Sequence, residues 1–419
     1  MTADKFKRKL PAFISLFLSL FCVCLLWVAS AQTAPDEELL GKSKGYPVGN
    51  RENWFYDETV RVGSFSNLDA IFPNYVLLKP PTPTELKRSS SEPRVRYSFE
   101  GKSYGINDYL QHQRTTGLLV IKGGEILIER YQYDRKPTDR FVSHSMAKSL
   151  VSLAVGFALG DGKIRSLEDT VATYVPELKG YAYGETRIRN VLRMASGVRF
   201  TENYDGKDDL AQYIRILISK GNIPALKAFN EREAAEGERF HYASIETQLL
   251  AVTIRGATGK NLSAYLTEKL WWPMGAESDA TWINTPDGLE LAFGNFNATL
   301  RDWGRLGLLL ANDGSLNGRQ ILPKEYLLEA TDWHMQPKAF APKVATPWFG
   351  YGYQFWTFPG EHRRFALLGV YGQAIFVDPD EKLVLVHTAA SRNANLEQES
   401  MGPERGALWY GLVTQYGQW

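Results

Sequence analysis

Ser145 and Lys148 stand three residues apart in Ser145-Met146-Ala147-Lys148, the only Ser-x-x-Lys in the 419-residue chain. A serine hydroxyl is a weak nucleophile until a nearby base takes its proton. Lysine becomes such a base when burial disfavours its charged form. Residues i and i+3 share a helix face, so the spacing lets Lys148 reach the Ser145 hydroxyl. The Ser145 N–H would be an unpaired donor of the helix's first turn, suited to a developing oxyanion. Alone, the pattern is weak: Ser145 could only cap a helix and Lys148 only face water. The surroundings strengthen it. Leu150, Val151, Leu153, Ala154, Val155, Phe157, Ala158 and Leu159 make a helix from about Met146 to Leu159 apolar on nearly all sides, which predicts a place in the core. An amine at the start of a buried helix needs a reason. Ninety-odd residues on, Phe240-His241-Tyr242-Ala243-Ser244 supplies a phenol that could relay protons between nucleophile and leaving group.

Other chemistries fit less well. No Gly-x-Ser-x-Gly elbow is present, as a Ser-His-Asp hydrolase of that fold would need. His144 adjoins Ser145, but adjacent residues at a helix start point apart, so His144 reads as structural. His241 reads as local packing. The remaining histidines are scattered and no His-x-x-x-His occurs, so neither a metal nor another cofactor is expected. Lys plus Arg number 48 against 47 Asp plus Glu, so the basic excess of a nucleic-acid partner is missing.

These residues need elements to position them. Leu118–Lys122 and Glu125–Glu129 flank Gly123-Gly124, which predicts a hairpin. Ala374–Val377 and Lys382–Val386 flank Asp378-Pro379-Asp380 and predict a second. Between them, residues 165–290 carry mainly helical spacing, as in Thr186–Met194, Leu210–Ser219 and Glu246–Thr258. Arg405–Tyr416 reads as a closing helix. The economical fold is α/β (α+β): one sheet built from both ends of the chain, with a helical region inserted.

The first thirty-one residues read as an export signal. Lys5, Lys7, Arg8 and Lys9 precede an apolar run from Leu10 to Val28, and Ala29-Ser30-Ala31 offers a small-x-small cleavage site. Uncleaved, the run would be an anchor, the one case in which a membrane partner is expected. Both cysteines, Cys22 and Cys24, fall inside it, so the remaining 388 residues would lack disulfides and thiol chemistry. Cleavage removes four cations and one anion and takes the net charge from +1 to −2. The product would be exported, periplasmic or secreted. Residues 32–95 read as an N-terminal extension and linker, with Lys79–Pro93 the most linker-like stretch. Residues 96–419 read as the catalytic domain.

Taken in order, Ser145-x-x-Lys148, Leu192-Arg193-Met194-Ala195-Ser196-Gly197, Tyr242-x-Ser244, Gly294–Thr299 and Gly369-Val370-Tyr371-Gly372-Gln373 resemble the serine β-lactamase-related superfamily. The resemblance lies on its class C and esterase side, nearest the 6-aminohexanoate-dimer hydrolases. It implies a penicillin-binding-protein-like antiparallel sheet flanked by helices. It also implies Ser145 as nucleophile, Lys148 as base, Tyr242 as proton relay, and the N–H groups of Ser145 and Val370 as oxyanion donors. Tyr204, Ser244, Leu367 and Gly369 would meet the substrate, a small ester or amide. One departure matters. Relatives that recognise penicillin place a cation in the triplet that here reads Leu367-Leu368-Gly369. The expected activity is therefore ester or linear amide hydrolysis. A β-lactamase, a D-Ala-D-Ala-type peptidase and a non-catalytic binder on the same scaffold are the alternatives.

Overall fold

The computed structural model describes residues 34–396 and 399–419. Residues 1–31, read from the sequence as an export signal, lie outside the described residues. Residues 34–419 belong to one compact unit. Its centre is an eight-stranded sheet ordered Gly350–Tyr351, Trp356–Thr357, Phe365–Gly369, Gln373–Asp378, Leu383–Ala389, Thr115–Lys122, Glu125–Tyr131 and Lys87–Arg88. Every neighbouring pair is antiparallel except the last.

Both expected hairpins form, and they meet: Leu383–Ala389 pairs with Thr115–Lys122. Gly123 and Gly124 sit at φ 59° and 91°, the left-handed backbone a two-residue hairpin turn requires. The sheet is covered on both faces, which explains the unbroken apolar run of Leu118–Ile121. Leu119, Ile121, Leu367, Ile375 and Val384 join the core beneath the helices. Leu118, Val120, Phe376 and Leu385 face the opposite core with Leu408, Trp409 and Leu412 of the closing helix Met401–Tyr416.

The helical insertion holds Asp209–Lys220 and Ser244–Thr258 as expected. It also holds one strand, Ala280–Ile283, that the helical spacing did not suggest. A second antiparallel sheet runs Asn74–Leu77, Ala280–Ile283, Phe296–Thr299, Arg140–Val142. Strands of three or four residues are too short to show a period of two. This sheet matters for the site, because Arg140–Val142 delivers the chain directly to Ser143, His144 and Ser145. The Ser143 N–H donates to the Phe296 carbonyl at 2.7 Å, and the Ser143 hydroxyl accepts from the Phe296 N–H at 3.0 Å.

Candidate active site

Ser145 lies in a short 3-10 turn, His144–Met146, and the α-helix proper spans Ala147–Gly160. The nucleophile candidate is thus one turn earlier than a simple first-turn helix residue. Ser145 is partly exposed while Lys148 is only 2% exposed. Lys148 Nζ lies 3.0 Å from Ser145 Oγ and donates to the Phe293 carbonyl at 2.8 Å. Burial pushes its ammonium down from 10.5 to about 8, with the Glu202 carboxylate pulling the other way. A buried charge is tolerated only if its partners compensate. Here a carbonyl, a hydroxyl and the Tyr242 and Phe293 rings, 5.1 and 5.6 Å from Nζ, do so in part.

Tyr242 sits just ahead of the helix Ser244–Thr258. Its phenol is held well above its ordinary value, first by burial and then by Glu202, while the Ser145 hydroxyl hydrogen-bonds it and opposes the rise. It is therefore a neutral donor at any ordinary pH. Trp356 stacks on its ring at 5.7 Å and 24°. Ser145, Lys148 and Tyr242 are thereby in one cluster.

The strand Phe365–Gly369 reaches the same place. A Cβ on Gly369 would lie 2.4 Å from the Ser143 carbonyl oxygen and 3.2 Å from His144 Cβ. Only glycine lets that backbone approach, and the approach brings Val370, partly exposed, to the edge of the site. Leu367 corrects an expectation. It is fully buried beneath the helices, so its side chain offers no wall to a substrate. Leu368, one residue on and partly exposed, packs against the opposite core with the closing helix, so neither leucine side chain forms that wall. Side chains alternate along a strand, so one residue moves the contact to the other face. Ser244 is also otherwise engaged: its hydroxyl donates to Glu202 Oε1 at 2.7 Å. Tyr204, at φ 62°, lies in the electrostatic neighbourhood of Tyr242. It lines a cavity of about 420 Å³ together with Tyr56, Arg61, Tyr371 and Arg392.

The histidines behave as packing residues. His241 Nε2 contacts the Phe200 carbonyl at 2.5 Å. His144 is buried, and burial pushes it down to about 3, helped by the charges of Arg61 and Lys148. Its backbone is in the left-handed region at φ 42°, a conformation that persists only when surroundings enforce it. The enforcement comes from the N-terminal extension. Trp54, Phe55 and Phe65 ring His144 with centroids 6.2, 5.7 and 4.7 Å away, and Tyr371 closes the ring at 5.7 Å. This clamp is invisible in the sequence, where residues 32–78 show no period; the one signal is the concentration of aromatics at Trp54, Phe55, Tyr56, Phe65 and Phe72. No group of three or more metal-ligating side chains occurs among the described residues.

A model of the Beta-lactamase family matches residues 106–405. The chain belongs to the beta-lactamase family. The match begins just ahead of the first hairpin and ends inside the closing helix, so it includes Ser145, Lys148, Tyr242 and Val370 but not the aromatic clamp of Trp54, Phe55 and Phe65. Among curated proteins, the chain is 27% identical to the 6-aminohexanoate-dimer hydrolase of Paenarthrobacter ureafaciens over 338 residues, 77% of this chain and 83% of that protein. Among solved structures, a Bacillus anthracis protein assigned the same name superposes with a TM-score of 0.76 at 23% identity, covering 87% and 96% of the two chains. A family VIII carboxylesterase superposes with a TM-score of 0.54 at 16% identity, over 71% and 93%. This member of the family therefore has the beta-lactamase and penicillin-binding-protein type of fold that its motifs suggested.

Proposed function

We propose that this protein is an exported serine hydrolase that cleaves esters or linear amides through an acyl-enzyme on Ser145. The observation that carries the reading is the buried Lys148 amine, 3.0 Å from the Ser145 hydroxyl and pushed by burial down to about 8. Neutral Lys148 accepts the Ser145 proton as Oγ attacks the substrate carbonyl carbon. The oxyanion is met by the backbone N–H groups of Ser145 and Val370. Lys148 and Tyr242 return the proton to the leaving alcohol or amine as the carbonyl bond to it breaks. Water then repeats the sequence on the acyl-enzyme and frees Ser145.

The choice against β-lactams follows from the charges near the strand Phe365–Gly369. Leu367 stands where penicillin-recognising relatives place a cation. Two nearby arginines are occupied: Arg363 with Asp313 and Thr331, and Arg364 with Asp378 at 2.5 Å. Arg392 lies 3.4 Å from Asp36 and lines the cavity beyond Tyr371. A β-lactam carboxylate would thus lose hydration beside the scissile bond without a charged partner on the strand Phe365–Gly369. A hydrogen bond to a charged group contributes about 1.5–3 kcal/mol, so its absence weakens such substrates by roughly 10- to 150-fold. A neutral ester has no such penalty. The likeness to a 6-aminohexanoate-dimer hydrolase adds a linear amide to the candidates. Comparing kcat/KM for nitrocefin, p-nitrophenyl butyrate and the 6-aminohexanoate dimer on one preparation, with Ser145→Ala as blank, tests this. The ester or the linear amide should exceed nitrocefin; preferred nitrocefin turnover would refute the substrate assignment.

A further inference from the structure

Glu202 is a partly buried carboxylate in the loop ahead of Asp209–Lys220. Its Oε1 accepts from the Tyr204 hydroxyl and from the Ser244 hydroxyl, each at 2.7 Å, and its Oε2 accepts from the Ser244 backbone N–H at 2.7 Å. Ser244 opens the helix Ser244–Thr258, whose first-turn N–H groups have no partners within the helix. A carboxylate there is favoured by the helix dipole as well as by the hydrogen bonds. One side chain therefore joins three things: the start of this helix, the backbone two residues after Tyr242, and the loop that carries Tyr204.

We propose that Glu202 is a positioning residue for the reaction at Ser145, fixing the Tyr242 phenol through Ser244 and the cavity wall through Tyr204. The proposal rests on the reading of Ser145, Lys148 and Tyr242 as the reacting groups. A merely structural cap would also hold the helix, so its electrostatic consequence is what separates the two. The titratable groups facing Lys148 are Glu202 from this loop, Tyr242 from the segment before the helix, and His144 from the turn before Lys148's own helix. Tyr242 and His144 are held neutral by burial. Glu202 is thus the carboxylate whose field favours the charged amine and opposes the burial that lowers it. Removing that charge lets Lys148 lose its proton at lower pH.

The test uses the full chain with p-nitrophenyl butyrate, and compares wild type, Glu202→Gln, Glu202→Asp and Ser244→Ala across pH 6–10. Glu202→Gln should lower kcat about tenfold or more, the scale of a displaced proton-transfer group. It should leave KM within about threefold and move the inflection of the rate to lower pH. Glu202→Asp keeps the charge on a shorter side chain, so kcat should fall while the inflection stays at the wild-type pH. Ser244→Ala removes the hydroxyl bond to Oε1 and leaves the backbone N–H bond to Oε2, so kcat should fall by less while the inflection stays; this variant also decides the matter if Glu202→Gln proves unable to fold. Wild-type kcat in folded Glu202→Gln, or reduced kcat with an unmoved inflection, would overturn the proposal. Undiminished kcat in folded Ser244→Ala would overturn it too. Ser145→Ala is run alongside: an active Ser145→Ala would sink the underlying reading, whereas an inert one with an unchanged Glu202→Gln sinks only the role of Glu202.

Discussion

The amine of Lys148 is asked to be both buried and functional, and pH separates the two demands. Burial lowers it from 10.5 to about 8. At pH 7 roughly one molecule in ten then carries the neutral base, and at pH 9 roughly nine in ten. For a neutral ester, kcat/KM should rise about eight- to tenfold across that interval, with an inflection near 8. The same depression has a stability consequence. The folded value lies below the unfolded one, so the stabilising contribution is complete above 10.5 and is lost as pH falls through 8. At about 1.4 kcal/mol for each tenfold change in proton affinity, the charged amine is disfavoured by about 3 kcal/mol at neutral pH. Lys148→Met keeps the length of the chain and removes the charge. It should be inactive, yet up to about 3 kcal/mol more stable at pH 7, with that advantage shrinking towards pH 10. The assays are p-nitrophenyl butyrate hydrolysis from pH 6 to 10 and urea unfolding at pH 7 and 10. A flat rate profile, or a Lys148→Met protein less stable than wild type at pH 7, would refute the reasoning.

Three further outcomes follow from the same geometry. Tyr242→Phe keeps the ring stacked on Trp356 but deletes the hydroxyl beside Ser145, so kcat should fall about 10²-fold or more with little change in melting temperature. Phe65→Ala opens the clamp on His144, whose ring lies 4.7 Å away; a large-to-small change at a buried aromatic removes about 3–5 kcal/mol of stability, and kcat should fall more than KM rises. Equal activity per folded molecule would show that the extension does not position Ser145. Glu246 is buried, accepts from Ser196 and is pushed up to about 8 by burial. Its folded value exceeds the unfolded one, so its contribution is present below about 4.5 and fades as pH rises through 8. Glu246→Gln should flatten that loss in melts between pH 5 and 9, and an unchanged slope would count against it.

The site was legible in the sequence where chemistry and local spacing coincide. Ser145 and Lys148 stand three residues apart across a helix start, and Tyr242 stands beside another; each needs only a few residues of context. The hairpins around Gly123-Gly124 and Asp378–Asp380 were legible for the same reason, since a turn and its flanking strands lie within seventeen residues. What the sequence hid depends on contacts across hundreds of residues. Trp54 and Phe65 meet His144 from eighty or ninety positions away, and no period marks them. Asn74–Leu77 finds Ala280–Ile283 across a gap of more than two hundred positions, with strands too short to alternate visibly. Leu367 was assigned to the pocket by its place in a triplet, but the pleat decides which way its side chain turns. It faces the core, and Leu368 is the one partly exposed. Glu202 was hidden because a carboxylate in a polar loop looks solvated until the helix it caps is in view.

The central claim is that Ser145 is a nucleophile activated by its neighbours, and covalent trapping tests it most directly. The full chain is incubated with a fluorophosphonate at pH 8, its intact mass is measured, and the modified peptide is sequenced. One phosphonyl group per molecule is expected on Ser145, none on Ser145→Ala, and much slower labelling of Lys148→Met. Labelling at another serine, or no labelling of a folded wild-type protein that still hydrolyses esters, would contradict the claim.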